Sequence, residues 1–132
     1  MVNIGIVGIG FMGVTHFKAI EKVRGGKVTA ICTRDPRKLK GDWRSVQGNF
    51  GGAGGRQDLR GIAAYERVED LLADDKVDLV DICLPTTMHY EWTMAALAAG
   101  KNVFLEKPIS LTLREADRMV AEAKARRLRL MV

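Results

Sequence analysis

Residues 2–13 read Val2-Asn3-Ile4-Gly5-Ile6-Val7-Gly8-Ile9-Gly10-Phe11-Met12-Gly13. An apolar run typical of a buried strand breaks at a Gly-x-Gly-x-x-Gly spacing, and a helical pattern follows at once. In this order the glycines predict a dinucleotide-binding turn. Gly8 makes the tight turn, Gly10 lets backbone approach a pyrophosphate, and Gly13 lets helix and strand pack closely. The phosphates would lie at the helix N-terminus, beside Phe11 and Met12, where the helix dipole favours anions.

Size and composition indicate one globular domain. The chain has 132 residues, of which 47% are hydrophobic and 28% charged, as in ordinary globular proteins. No apolar run approaches the roughly 18 residues that would span a bilayer. Met1 leads straight into the first strand, which leaves no room for a signal peptide. We therefore expect a cytoplasmic protein with no membrane partner.

The net charge of +5 suits an anionic ligand. The densest basic run is Lys124-Ala125-Arg126-Arg127-Leu128-Arg129. We interpret it as a solvated helix end, because cations there offset the C-terminal dipole. No aromatic platform lies near it in sequence, so nucleic-acid binding is not predicted.

Cys32 and Cys83 each close an apolar run. Such runs in a parallel sheet are buried, so both residues are predicted to be reduced packing residues of a cytosolic protein. No Cys/His spacing in the chain indicates a metal site.

The junction after the second strand, predicted over residues 27–32, bears on the choice of cofactor. An acidic residue about 20 positions past the glycines would bind the ribose 2′-OH of NAD, but Thr33 and Arg34 stand there. A hydroxyl and a guanidinium suit a 2′-phosphate better. Asp35 is interpreted as the N-cap of a helix that begins with Pro36. NADP is therefore favoured, and NAD stays open if Asp35 faces the ribose instead.

Helical spacing predicts the inward faces of three helices. The first is expected over residues 11–23, with His16 as a packed core histidine. A second follows the fourth strand, capped by Thr86 or Thr87 and ended by Gly100. The third starts with a capping box at Thr112 and Glu115 and runs to about Arg127. The predicted inward residues are Met12, His16, Ala19, Ile20 and Val23; Trp92, Ala95, Ala96 and Ala99; and Ala116, Val120 and Ala123.

Residues 41–61 show no periodicity and contain a glycine-rich run over residues 48–55. We interpret this segment as a surface excursion, either a mobile connector or a loop that binds a partner.

The remaining strands are predicted at residues 62–65, 77–84, 102–105 and 128–132, with a short helix at residues 68–72. Strands alternating with helices predict a doubly wound parallel sheet covered on both faces, in strand order 3-2-1-4-5 with the last strand beside the fifth. Ligands bind such sheets beyond the carboxyl ends of the strands. Gly8, Thr33, Pro85, Glu106 and Lys107 all follow strand ends, so one site is expected there.

Three stretches resemble the N-terminal half of the Gfo/Idh/MocA oxidoreductase family, and the resemblance covers essentially the whole chain. They are residues 8–13 followed by His16, Asp81-Ile82-Cys83-Leu84-Pro85-Thr86-Thr87-Met88-His89, and Ala98-Ala99-Gly100-Lys101-Asn102-Val103-Phe104-Leu105-Glu106-Lys107-Pro108. The resemblance implies an enzyme that oxidises or reduces sugars, inositols or related polyols with NAD or NADP.

The resemblance also assigns roles to individual residues. Lys107 would lie near the nicotinamide and stabilise charge on the reacting oxygen, Glu106 would help to hold the cofactor, and Pro108 would fix the bend, often through a cis bond. Leu84, Pro85, Thr86 and His89 become candidate cofactor contacts. Thr86 stands where the family often has Asn, so its hydroxyl would meet the nicotinamide ribose in altered geometry.

Family members continue into a second α/β domain that supplies further acid/base residues and most of the substrate pocket. These 132 residues lack it, so we expect a single dinucleotide-binding domain with little or no turnover alone. The alternative is a standalone nucleotide-binding or assembly module. Another ligand on the glycine turn, S-adenosylmethionine or coenzyme A, fits Arg34 and the Glu-Lys-Pro motif poorly. Self-association is expected through exposed apolar surface and the edge at residues 128–132.

Overall fold

A computed structural model describes residues 1–48 and 54–132. In this described part of the chain, six strands form one sheet in the order β3-β2-β1-β4-β5-β6, and every neighbouring pair is parallel. The strands are β1 (Val2–Val7), β2 (Gly26–Cys32), β3 (Ala63–Tyr65), β4 (Leu79–Ile82), β5 (Asn102–Leu105) and β6 (Leu130–Met131). The predicted fold class and strand order are confirmed, although β3, β4 and β6 are shorter than predicted.

Within the described residues, five helices connect the strands. They are α1 (Phe11–Ile20), α2 (Pro36–Leu39), α3 (Val68–Leu72), α4 (His89–Ala98) and α5 (Leu113–Ala125), and a 3₁₀ turn at Thr86–Met88 leads into α4. Two of the three predicted caps are present: Asp35 accepts a hydrogen bond from the Arg37 N–H, and Thr112 accepts one from the Glu115 N–H. The predicted cap of α4 at Thr86 or Thr87 was wrong, because both residues belong to the 3₁₀ turn and α4 starts after Met88 with no side-chain cap. None of the helices in the described residues is long and apolar enough to cross a membrane.

The side chains of the sheet alternate between two apolar cores, as the two-residue period of a strand requires. One core packs the sheet against α3, α4 and α5, whose buried residues include Leu71, Leu97 and Met119. The other packs Ile4, Ile6 and Ile31 against α1. The chain therefore forms three layers with the sheet in the middle.

The predicted inward faces of α1, α4 and α5 were partly wrong. The α1 helix ends at Ile20 and buries Gly13, Val14 and Phe17, whereas Ala19 and Val23 are exposed. In α4, Trp92 packs against the core as predicted, but Ala99 is exposed and the helix also buries Thr93 and Leu97. The α5 helix buries Met119 while Val120 is exposed. These helices carry apolar residues on more than one side, so the sequence is compatible with two alternative buried stripes on each helix. The sheet behind each helix decides which stripe is buried.

The flanks of the glycine-rich excursion are anchored to the core, a feature that sequence interpretation missed. Trp43 is fully buried, donates its indole N–H to the Lys38 carbonyl at 2.9 Å, and packs edge-to-face on Phe17. Residues 42 and 56 pair in an antiparallel bridge. The part of the excursion at residues 49–53 lies outside the described residues.

Candidate cofactor-binding site

The carboxyl ends of four strands are joined side by side through backbone hydrogen bonds. The N–H of Gly8 donates to Cys32 at 3.0 Å, that of Cys83 donates to Val7 at 2.8 Å, and that of Glu106 donates to Ile82 at 3.0 Å. The residues that follow β2, β1, β4 and β5 therefore stand in a row at one rim of the sheet, as predicted from the strand ends.

The three glycines of the turn differ in what surrounds them. Gly8 has a φ of +94°, and a Cβ there would lie 2.5 Å from the Cys83 carbonyl oxygen. A Cβ on Gly13 would lie 2.0 Å from the Gly8 oxygen, so Gly13 permits the close contact of helix and turn. A Cβ on Gly10 would meet nothing within 4 Å. Of these three glycines, only Gly10 therefore faces open space that a ligand could fill.

The open space at Gly10 fits an anion. It lies at the start of α1, which has no side-chain cap and no acidic residue in its first turn. The helix dipole and the N–H groups of that turn favour negative charge there. A cation also lies beside it, because the half-buried Lys38 donates its Nζ to the Ile9 carbonyl at 2.8 Å. Lys38 was not predicted, since its spacing from the glycines carries no motif.

A cavity opens beside Gly8, between the ends of β2 and β4. Three of the predicted cofactor contacts, Thr33, Arg34 and Leu84, line it together with residues that sequence reasoning missed, and their contact with a cofactor stays a prediction. The missed lining residues are Glu66, Arg67, Val68, Glu69, Met88 and Trp92. Asp35 is absent from the lining, in keeping with its use as a cap. Cys32 also lines the cavity, and burial raises the pKa of its thiol to about 11, so it is protonated at neutral pH.

His16 packs against Phe104, in keeping with a packed core histidine, but it also takes part in an ion-pair network that the prediction did not include. Its Nδ1 lies 2.8 Å from Asp81 Oδ2, and its Nε2 lies 3.1 Å from Glu106 Oε1. Asp81 is fully buried, whereas Glu106 stands half-buried at the end of β5. The hydrogen bond to Asp81 raises the pKa of His16 above its ordinary value, although burial opposes this shift. The imidazole therefore links the centre of the sheet to the rim.

Cys83 completes this network. Its Sγ lies 3.4 Å from both His16 Nδ1 and Asp81 Oδ1. A ring nitrogen of His16, a carboxylate oxygen of Asp81 and the sulfur of Cys83 all lie within 4.8 Å of one another. Within residues 1–48 and 54–132, no other three side chains of His, Cys, Asp or Glu bring such atoms so close together. Burial raises the pKa of the Cys83 thiol far above its ordinary range. The three side chains satisfy one another as hydrogen-bond partners. Cys32 and Cys83 are both free thiols, although Cys83 is only half-buried.

The second histidine joins the loops that follow β4 and β5. His89 is 1% exposed, and its ring nitrogens lie 2.8 Å from the Leu84 carbonyl and 2.7 Å from the Pro108 carbonyl. The Lys107–Pro108 peptide bond is cis, as the resemblance implies, and Lys107 is exposed. The Glu106–Lys107–Pro108 segment is thus held at both ends by a histidine.

The other predicted contacts lie close by in the chain. Phe11 and Met12 are half-buried at the first turn of α1, while the exposed Pro85 and the half-buried Thr86 open the 3₁₀ turn after β4. Their contact with a cofactor stays a prediction.

A parallel sheet with a glycine turn, an open helix N-terminus and a cavity at the next strand end defines a Rossmann-type dinucleotide-binding domain. Residues 2–132 match the family model GFO_IDH_MocA, described as an oxidoreductase family with an NAD-binding Rossmann fold. The chain belongs to the Gfo/Idh/MocA oxidoreductase family.

Known proteins of this family are similar along almost the whole chain. An inositol 2-dehydrogenase/D-chiro-inositol 3-dehydrogenase of Lactiplantibacillus plantarum is 36% identical over 98% of this chain and 34% of its own length. A glycosyl hydrolase family 109 protein of Shewanella amazonensis is 31% identical over 93% of this chain and 26% of its own length. KijD10, a 3-ketoreductase of Actinomadura kijaniata solved in complex with TDP-benzene and NADP, superposes with a TM-score of 0.81 at 30% identity, over 98% of this chain and 37% of its own.

The chain thus spans about a third of the length of the relatives that it matches.

Proposed function

We propose that this chain binds NADP(H) in preference to NAD(H), and that it presents the nicotinamide to a sugar, inositol or related polyol in the context of a longer protein. The observation that carries the proposal is the row of strand ends, which places the open space at Gly10, the Arg34 cavity and the Glu106–Lys107 segment along one rim. The inositol dehydrogenase and 3-ketoreductase relatives support the substrate class.

The preference for NADP rests on the charges around the cavity beside Gly8. Arg34 and Arg67 both line it and both are exposed. A guanidinium can grip a 2′-phosphate through two donors. Asp35, the carboxylate that could have accepted from a ribose diol, already accepts from the Arg37 N–H. Glu69 is paired with Arg67 at 3.7 Å. Of the two glutamates that line the cavity, Glu66 is therefore the one that could accept from a ribose diol and favour NAD.

The roles of the chain's residues follow from their positions. The first turn of α1 and Lys38 would hold the pyrophosphate, while Thr33 and Arg34 would hold the adenosine end. The bound dinucleotide supplies or accepts the hydride. Lys107, exposed beside the half-buried Glu106, would donate a hydrogen bond to the reacting oxygen and stabilise the negative charge that develops there. We propose that the 132 residues alone have little or no turnover, because the neighbouring acid/base groups Glu106 and His16 are already paired with each other.

Calorimetric titration with NADPH and NADH at fixed salt tests the cofactor choice. We expect NADPH to bind about tenfold more tightly, a difference of about 1.4 kcal/mol. Arg34→Ala should remove that preference, because the guanidinium would contact the 2′-phosphate, which NADH lacks. Arg118→Ala, an equal loss of charge at an exposed position on α5, is the matched control and should keep it.

Two results would contradict the NADP assignment. Tighter binding of NADH would mean that an acidic side chain faces the ribose, and an unchanged preference in Arg34→Ala would place the guanidinium elsewhere. Binding of neither cofactor would favour the alternative, a module that associates with a partner without this chemistry.

We also propose self-association through an apolar groove between α1 and strands β4–β6. Its lining includes Leu79, Phe104 and Met131 from the sheet and Ile20 and Val23 from the α1 side. An exposed apolar surface of this kind is typical of a protein–protein interface. Sedimentation velocity should show concentration-dependent dimers, and monomers alone at high concentration would contradict it.

A further inference from the structure

Both ring nitrogens of His16 face carboxylates. Asp81 lies on the Nδ1 side at 2.8 Å and Glu106 on the Nε2 side at 3.1 Å. An ionised carboxylate only accepts hydrogen bonds, and a neutral imidazole carries a single N–H. The imidazolium is therefore the only form of His16 that can donate to both partners at once.

The two carboxylates differ in how firmly they are held. Asp81 is fully buried in the central strand β4, where it is also contacted by the Cys83 thiol. Glu106 comes after the last residue of β5 and its side chain is 18% exposed, so water can reach it. Because an unpaired carboxylate costs far more in the interior than at the rim, a neutral His16 would keep its single N–H on Asp81. Glu106 is the partner that would be released.

We infer that His16 is a positioning residue: its imidazolium fastens Glu106 to the buried Asp81, and loss of the proton frees Glu106 and loosens Lys107 beside it. The inference deepens the proposed function, because it concerns how Lys107 is presented at the cofactor site. His89 holds the Pro108 carbonyl at the other end of the segment, so the release is confined to Glu106 and Lys107.

The two carboxylates around His16 act in the same direction. The groups that face it are Asp81 and the Cys83 thiol on β4, Glu106 after β5, and the ring of Phe104, which stacks on the imidazole at 5.4 Å. Arg129 is a cation that lines the same groove. The hydrogen bond to Asp81 comes first among the causes that raise the pKa of His16, and both carboxylates add attraction. The form in which His16 holds both carboxylates is therefore present below pH 6.5 and is lost as the pH rises through the folded pKa of His16.

The experiment follows the two histidines of the chain by NMR from pH 5 to 9, in the absence of cofactor. Imidazole nitrogen shifts give the midpoint of His16, which His16→Gln identifies by its absence. Backbone ¹⁵N relaxation of Lys107 is measured in the same samples. We expect the wild-type midpoint to lie above 6.5, and Lys107 to become more mobile with that same midpoint.

Glu106→Gln separates positioning from a general effect of the histidine charge. Loss of the carboxylate should lower the midpoint of His16 by about one unit, and Lys107 mobility should no longer follow it. Glu122→Gln, the same change on the surface of α5 where Glu122 pairs with Arg126, is the matched control and should change neither readout.

NADPH titration at pH 6 and pH 9 extends the test to the cofactor site. Wild-type affinity should fall by about tenfold at the higher pH, as the competent geometry becomes a minor state, and Glu106→Gln should show no such fall. The positioning role is overturned if Glu106→Gln leaves the His16 midpoint unchanged, or if Lys107 mobility does not follow that midpoint in the wild type. Absence of NADPH binding at both pH values would contradict the proposed function, while the NMR readouts would still decide the role of His16.

Discussion

Gly13→Ala is expected to lower the free energy of unfolding by about 3 kcal/mol, because an overpacked contact with backbone cannot relax cheaply. A Cβ at this position would lie 2.0 Å from the Gly8 carbonyl oxygen. That oxygen belongs to the glycine turn itself. The turn has little room to move, because a Cβ on Gly8 would lie only 2.5 Å from the Cys83 carbonyl oxygen. The helix would have to move away from β1. Urea denaturation followed by circular dichroism measures the loss.

Gly10→Ala is the matched control for this stability measurement. Its added Cβ meets nothing within 4 Å, and the residue has a φ of −98° that alanine adopts freely. Its free energy of unfolding should stay within about 1 kcal/mol of the wild type. A Gly13→Ala protein as stable as wild type would mean that α1 and the glycine turn do not pack as described.

His16→Leu is expected to lower the free energy of unfolding by about 3 to 5 kcal/mol at pH 6, the cost of leaving a buried charge without its partner. The carboxylate left behind is that of Asp81, which is fully buried. The Cys83 thiol remains beside it but carries no positive charge. Adding Asp81→Val should recover most of the loss, since an apolar pair needs no compensation. Chemical denaturation of both variants makes the comparison.

Because of the same ion pair, the free energy of unfolding of the wild type should fall as the pH rises. The pKa of His16 is raised in the folded protein above its ordinary value of 6.5. Its contribution is therefore fully present below pH 6.5 and is lost as the pH rises through the folded pKa. His16→Leu should remove this part of the slope. A loss under about 1 kcal/mol in His16→Leu, or a double variant less stable than the single one, would contradict the buried ion pair.

The fold could be predicted largely from local patterns. The glycine spacing after β1, the caps at Asp35 and Thr112 and the alternation of strands with helices each specify a local geometry, and parallel connectivity then restricts the strand order. The inward faces of α1, α4 and α5 could not be predicted as well, because each helix offers more than one apolar stripe. Trp43 was missed because a single aromatic residue in a glycine-rich segment has no periodicity.

The positions of the residues at the rim could be predicted because they follow strands, whereas the contacts between different elements could not. Gly8, Thr33, Arg34 and Leu84 meet at the rim because strand ends do. The pairing of His16 with Asp81 joins residues 65 positions apart, which no local pattern encodes. One signal was present: Asp81 interrupts an apolar strand, and a charge in a buried strand requires a partner.

Calorimetric titration of NADPH into the wild-type chain and into Gly10→Ala tests the dinucleotide site most directly. The wild type should bind one NADPH, whereas Gly10→Ala should stay folded and bind about a hundredfold more weakly, a loss of about 2.7 kcal/mol. This result is expected because the added methyl group would stand where the backbone must approach the pyrophosphate. Equal affinity in the two proteins, or no binding to the wild type, would contradict a dinucleotide site at this turn.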